Sequence, residues 1–223
     1  MSNITLYHGP MACSKVSLNA LHESGLPFEL NMLDVISGAN KTPEYLAINP
    51  RGKVPALAVD GVLLTENAAI LRFLHELAPS AHLLPASDDP LERARTYKDV
   101  VWCSATLHPM TRQIRVPMRY TDGETEDIRK KGVELFTEAM ALIEAQLQDG
   151  PWWFGVQWSV VDVYLNWLYR TAELGRFSLE PYPGVRDHDQ RVRARPSYVS
   201  ALAQEVAAAE ALGIRFPKGF VLT

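Results

Sequence analysis

Every strand-like run in this sequence lies before residue 65, and every periodic run beyond residue 90 has the period of a helix. Such a chain can only fold as a small α/β layer followed by a helical body. Ile4 to Tyr7 alternates, Gly9-Pro10 breaks it, and Ser14 to Ser24 has a helical pattern closed by Gly25. Pro27 to Asp34 reads as a second strand, and its spacing from the first makes a β-α-β crossover with parallel strands. Thr42-Pro43 opens a short helix through Leu46, ended by Asn49-Pro50 before the turn Arg51-Gly52-Lys53. Ala56 to Val59 and Val62 to Leu64, joined by Asp60-Gly61, form a hairpin. Ile70, Phe73, Leu74 and Leu77 mark a helix that closes at Pro79.

The segment from Leu84 to Pro90 is a polar, proline-bounded connector. Helical periodicity then runs from Leu91 to the break at Arg115-Val116-Pro117. A second helix carries Val133, Phe136, Met140, Ile143 and Leu147 and ends at Gly150-Pro151, and a third spans Ser159 to Glu173. Val199, Leu202 and Val206 mark the last, with Pro181, Pro183 and Pro196 punctuating the connection. The expected division is an α/β domain over 1–80, a linker over 81–88 and an all-α domain over 89–223.

With 22 Lys+Arg against 26 Asp+Glu, the net charge is −4 and no basic block stands out, which argues against a nucleic-acid or anionic-membrane partner. Arg186, Arg191, Arg193 and Arg195 are interleaved with Asp187 and Asp189 and read as a solvated surface. No apolar run is long enough to span a bilayer. Two cysteines make no disulfide framework, and Met-Ser-Asn-Ile-Thr-Leu-Tyr has neither the basic flank nor the apolar run of a signal peptide, so a cytoplasmic location is expected.

Three short stretches carry chemistry. Cys13-Ser14 lies where the first loop meets the first helix, so the thiol sits at a helix start with Lys15 beside it, and both favour thiolate over thiol. A small packing cysteine fits the same position, and Cys103, among Val101, Trp102 and Ala105, is read as one. Val16 stands where a second cysteine of a two-thiol motif would be. Val54-Pro55 puts a proline at a strand entrance, where an ordinary trans bond is tolerated; a cis bond would leave the Val54 peptide groups open to an added strand-like ligand. Thr65-Glu66-Asn67 ends the hairpin where a helix begins, either a plain polar cap or a seat for an α-amino acid headgroup, its carboxylate on the free N–H groups and its ammonium on Glu66. Cys13, His8 and His108 have no spacing typical of metal ligands, and no metal is expected.

LYHGPMACS, NPRGKVPAL and TENAAILRFL, in this order and spacing, resemble the glutathione S-transferase superfamily, the first motif being closest to its bacterial beta class. Ser159-Val160-Val161-Asp162 is similar to the capping box of that family's helical domain. The resemblance covers nearly the whole chain and implies a thioredoxin-like domain followed by an all-α bundle, glutathione as co-substrate, and a homodimer. It implies that Val54, before a cis Pro55, pairs with the cysteinyl unit, that Glu66 and Asn67 hold the γ-glutamyl end, and that Lys41 and Lys53 join the glutathione site. Cys13 and Ser14 would face the sulfur, which His108 would approach from the helical domain, although a histidine with no function on a helix face fits as well. An electrophile pocket between the domains would be lined by His8, Met11, His108, Met110, Ile114 and Met118 or Tyr120. The chain departs from the beta-class pattern at His8, Val101 and Asn67, where tyrosine, asparagine and serine are usual.

The implied activity is transfer of the glutathione thiolate to a hydrophobic electrophile. Two alternatives stand beside it. One is thiol–disulfide exchange through Cys13, and the other is a non-catalytic binding module on the same fold.

Overall fold

A computed structural model describes residues 2–216, which divide into two compact units: 2–83 with 195–216, and Leu84–Ala194. No helix among the described residues is long and apolar enough to cross a membrane.

The first unit is a four-stranded sheet with helices. Its strands are β1 (Ile4–His8), β2 (Glu29–Met32), β3 (Ala56–Val59) and β4 (Val62–Thr65), in the order β2-β1-β3-β4. β1 and β2 run parallel, as their crossover spacing requires, while β3 is antiparallel to both β1 and β4. The hairpin turn places Asp60 and Gly61 at φ 49° and 85°, the two positive values that a two-residue turn needs to match the strand twist. Register aligns Leu30, Leu6, Leu57 and Leu64 in one row across the sheet, with Leu6 and Leu57 wholly buried.

Between the strands lie α1 (Ser14–Ser24) and α2 (Pro43–Ile48), and α3 (Asn67–Leu77) follows the hairpin. α1 begins at Ser14 and closes on a left-handed Gly25, as the sequence predicts. Its first eight residues are all buried, Lys15 and Asn19 among them, because β1, α3 and the terminal helix all pack on it.

That terminal helix is α9 (Pro196–Ala211), and it belongs with the first unit rather than with the helical segment that the expected 89–223 domain gave it to. The buried stripe also differs. Tyr198, Ala201, Glu205 and Ala209 are buried, whereas Val199, one of the expected core positions, is 54% exposed. The helix is rotated by one residue from the face its aliphatic side chains suggest, and an acid lies on the inner stripe.

The second unit contains α4 (Pro90–Val101), α5 (His108–Arg115), α6 (Glu126–Gln146), α7 (Val160–Leu174) and α8 (Pro183–Arg193). Asp89 caps α4 by accepting the Leu91 N–H at 2.8 Å. The expected single helix over 91–115 is interrupted by a π-helical turn, Trp102–Leu107. Pro109 has no N–H to return to Ala105, which removes one rung of the α ladder where the wider turn ends.

α7 starts on the capping box read from the sequence. Ser159 Oγ accepts the Val161 N–H at 3.2 Å, and Asp162 Oδ2 accepts the Ser159 N–H at 2.8 Å. α8 was not expected, because Pro181 and Pro183 read as punctuation. Pro183 instead occupies the first turn, and the start is capped from α6: Glu144 accepts the Gly184 and Val185 N–H groups at 2.8 and 2.9 Å. A cap supplied from about forty residues away leaves no local signature.

Candidate functional site

The loop from Gly9 to Cys13 joins β1 to α1. Gly9 is required there, since a Cβ would come within 2.6 Å of Val35 Cγ1. The chain then turns through Met11 at φ 62°, a left-handed conformation that costs a non-glycine residue about 1 kcal/mol or more. Cys13 follows as the residue capping α1, part-exposed and with no side-chain hydrogen bond into the helix. Its thiol stands 3.5 Å from the Val54 carbonyl oxygen, and its own carbonyl accepts the Asn67 Nδ2 at 2.8 Å. The thiol thus stands at the positive end of the α1 dipole. Cys103 is wholly buried, and burial, with the Asp99 and Asp162 charges added, pushes its thiol well above its ordinary pKa.

Val54-Pro55 is a cis peptide bond, and the turn leading to it is pinned. The Lys53 carbonyl accepts both the Tyr45 hydroxyl at 2.7 Å and Asn49 Nδ2 at 2.8 Å, and the Gly52 carbonyl accepts Asn40 Nδ2 at 2.8 Å. Gly52 has φ 57°, and a Cβ on it would stand 2.8 Å from both the Asn40 oxygen and Lys41 Nζ. Lys41 and Lys53 are exposed. Glu66, at the start of α3, has φ 70° and a side chain 73% exposed, with Arg51 Nη1 3.0 Å from its carboxylate.

Four sequence expectations need correction. Ser14 does not face outward beside the thiol: it is fully buried, accepting the Gly9 N–H at 3.2 Å and donating to the Gly9 carbonyl at 3.3 Å, so its hydroxyl holds the loop closed. His8 does not line a pocket. It is fully buried with Nε2 3.2 Å from Glu205 Oε1. The Asn67 side chain is turned inward, accepting the Ser17 hydroxyl at 2.6 Å while it donates to Cys13, so it braces α1 against α3 and leaves only its backbone for a ligand. Ile114 is 1% exposed in the core of the second unit, where its Cγ2 lies 2.7 Å from the place a Cβ on Gly175 would take.

Lys15 also departs from expectation. Its ammonium is 3.4 Å from Glu205 Oε2 and 5.0 Å from the Tyr198 ring centroid, so its charge is largely balanced by the acid rather than offered to Cys13. Burial alone would raise the Glu205 carboxyl, but the His8 hydrogen bond, the Lys15 ammonium and the Met11 N–H at 3.0 Å hold it at about 2. Glu205 is a residue that sequence reasoning missed, since nothing in a glutamate beside Val206 signals a fully buried side chain. Arg51 was read only as part of a turn.

Within the second unit, His108 begins α5, with its ring edge-on to Trp167 at 4.6 Å between centroids. Burial, with the Arg112 charge added, pushes its pKa down to about 3, so the imidazole is neutral at physiological pH. Met11 and Met110 are part-buried, and Met118 and Tyr120 are exposed.

The family model for the glutathione S-transferase N-terminal domain matches residues 11–77. The chain is similar to the glutathione S-transferase GstA of Escherichia coli O157:H7, 31% identical over 209 residues that make up 90% of this chain and 98% of that relative. It is similar to a maleylacetoacetate isomerase of Pseudomonas aeruginosa, 32% identical over 186 residues, with 82% and 87% covered. Among solved structures, a sphingomonad glutathione S-transferase complexed with glutathione superposes with a TM-score of 0.79 at 28% identity, covering 91% of this chain and 98% of that one. A bacterial beta-class glutathione S-transferase of Sphingomonas chungbukensis gives 0.79 at 29%, covering 90% and 98%.

Proposed function

The chain belongs to the glutathione S-transferase superfamily, with bacterial beta-class members among its structural neighbours, and on that premise we propose that it is a glutathione transferase whose thiol chemistry is centred on Cys13. The observation that carries this reading is the division of labour around the first loop. Of His8, Cys13, Ser14 and Lys15, only Cys13 remains part-exposed, while the other three are buried in contacts that hold the loop.

Glutathione is extended and peptide-like, and the backbone of Val54 suits its cysteinyl unit as an added strand. Glu66 takes the γ-glutamyl ammonium, and the first N–H groups of α3 take the α-carboxylate. Lys41 and Lys53 supply positive charge for the glycyl carboxylate. The bound thiol loses its proton more readily at the start of α1, and its electron pair then forms the S–C bond as the leaving group departs from a hydrophobic electrophile. Met11 and Met110 are the apolar candidates for contact with the electrophile. The working form is a cytoplasmic homodimer that scavenges electrophiles.

Glu66→Ala should weaken glutathione binding roughly tenfold, the scale of a lost charge-assisted hydrogen bond. The Arg51 contact is exposed and worth at most about 1 kcal/mol, so the melting temperature should stay within a few degrees of wild type. Calorimetric titration with glutathione reads the first and thermal unfolding the second. An unchanged affinity would place the headgroup elsewhere.

The part-exposed thiol also supports a second reading, thiol–disulfide exchange. The Cys13 thiolate attacks one sulfur of oxidised glutathione, forming a mixed disulfide and releasing glutathione thiolate, and a second thiol later displaces the bound half. Intact mass after incubation with oxidised glutathione, together with turnover of an aryl halide with reduced glutathione, separates the readings for wild type and Cys13→Ala. Strong conjugation that falls in Cys13→Ala supports transfer centred on Cys13, whereas conjugation that survives Cys13→Ala makes Cys13 accessory to transfer. An adduct lost in Cys13→Ala, alongside weak conjugation, makes exchange the primary chemistry. Neither adduct nor conjugation would leave a binding module.

A further inference from the structure

Glu205 reaches the first loop from the far end of the sequence and is 0% exposed. One of its oxygens, Oε1, accepts the Met11 N–H at 3.0 Å and pairs with His8 Nε2 at 3.2 Å, and the other is 3.4 Å from Lys15 Nζ. A single carboxylate therefore ties down the chain before, within and after the turn that carries Cys13. α9 is itself held along α1, by Arg195 on Glu23 and by His22 Nε2 at 2.7 Å from Gln204 Oε1. Met11 is left-handed, a conformation that its side chain disfavours and that the Glu205 hydrogen bond to its N–H secures.

We propose that Glu205 is a positioning residue for the thiol: by fixing Met11 and the start of α1, it sets where the Cys13 thiol stands at the helix start, 3.5 Å from the Val54 carbonyl oxygen, and so governs the reactivity of the thiol. The inference rests on the reading of Cys13 as the reactive group. The charged and titratable groups that face Glu205 are His8 on β1 and Lys15 on α1, with Tyr198 of α9 packed over Lys15. Replacing Glu205 by alanine removes the loop anchor and the charge together, whereas glutamine keeps an acceptor for the Met11 N–H.

The test is the rate of alkylation of Cys13 by iodoacetamide from pH 6 to 10, read by mass spectrometry in the full chain for wild type, Glu205→Ala and Glu205→Gln. Protection of the α1 and α9 amides against hydrogen exchange serves in each as the reporter of unfolding, since both helices belong to the unit that holds Glu205 and Cys13. In Glu205→Ala the midpoint of the Cys13 profile should move up toward that of a free thiol, about 8.5, and the rate at pH 7 should fall roughly tenfold, with a smaller shift in Glu205→Gln and the α1 and α9 amides protected throughout, whereas loss of the carboxylate charge alone would offer the Lys15 ammonium to Cys13 and move the midpoint down. A wild-type or lower Cys13 midpoint in Glu205→Ala with those amides protected overturns the proposal. If those amides exchange freely in Glu205→Ala, the glutamine variant decides, an upward shift supporting the proposal and an unmoved or lower midpoint overturning it. A wild-type protein whose Cys13 already reacts like a free thiol would overturn the reactive-thiol reading itself, a result distinct from either.

Discussion

Asp162→Ala should destabilise the second unit by about 4 kcal/mol, which is large for a single truncation. The Asp162 side chain is fully buried and serves four groups. Oδ1 accepts the Trp153 N–H at 2.7 Å and lies 2.9 Å from His188 Nε2, while Oδ2 accepts the Ser159 N–H at 2.8 Å and the Ser159 hydroxyl at 3.1 Å. Alanine leaves buried donors on Trp153, Ser159 and His188 without an acceptor, at about 1–3 kcal/mol for each that finds no replacement. It also removes half of the capping box that starts α7. Asp162→Asn should cost less, since its oxygen can still serve Trp153, although its amide then meets a donor. All five tryptophans, 102, 152, 153, 158 and 167, lie in the second unit, so the midpoint of tryptophan fluorescence in urea reads this unit directly. A loss below about 1 kcal/mol in Asp162→Ala would show that the carboxylate is not the hub its distances indicate.

What could be read from the sequence and what could not are divided by the range of the interactions. The strand and helix order of the first unit follows from local pattern: alternation in β1, a left-handed glycine closing α1, and Asp60-Gly61 in the hairpin each state their own geometry. The same holds for Cys13 at a helix start and for the capping box at Ser159. Apart from the turn of Ser14 onto Gly9 and the π-helical turn before Pro109, the failures are long-range. α8 depends on Glu144, the rotation of α9 depends on which side chains meet α1, and Glu205 acts on residues nearly two hundred positions earlier. Ser14 and Lys15 sit in the motif that resemblance points to, yet the fold spends both on holding the loop. A motif names the neighbourhood of the chemistry, and packing decides which of its polar groups are left to perform it.

The stability of the second unit should fall as pH drops from about 6.5, and His108→Gln should remove that slope. His108 has a folded pKa of about 3 against an ordinary value of 6.5, held down by burial and then by Arg112. Between these values the unfolded chain binds a proton that the folded chain does not, so the stabilisation is complete above about pH 6.5 and is lost progressively toward pH 3. At 1.36 kcal/mol per pH unit the loss by pH 5 is about 2 kcal/mol. Glu205 acts in a lower window. Its depressed carboxyl stabilises above about 4.5 and loses that contribution as pH falls toward 2, and it lies in the unit without tryptophan. Burial raises the Glu173 and Asp189 carboxyls of the second unit, which gain stability as pH falls and act against this slope, so the difference between wild type and His108→Gln in urea midpoints, followed by tryptophan fluorescence between pH 7 and 5, isolates His108. The variant will be less stable overall, since its packing on Trp167 is lost, but its midpoint should be flatter across that range. An equal slope in wild type and His108→Gln would mean that the histidine titrates as it does in water. A flatter one would leave a neutral imidazole at pH 7, so a limb near pH 6.5 in any pH profile of the protein would have to come from another group.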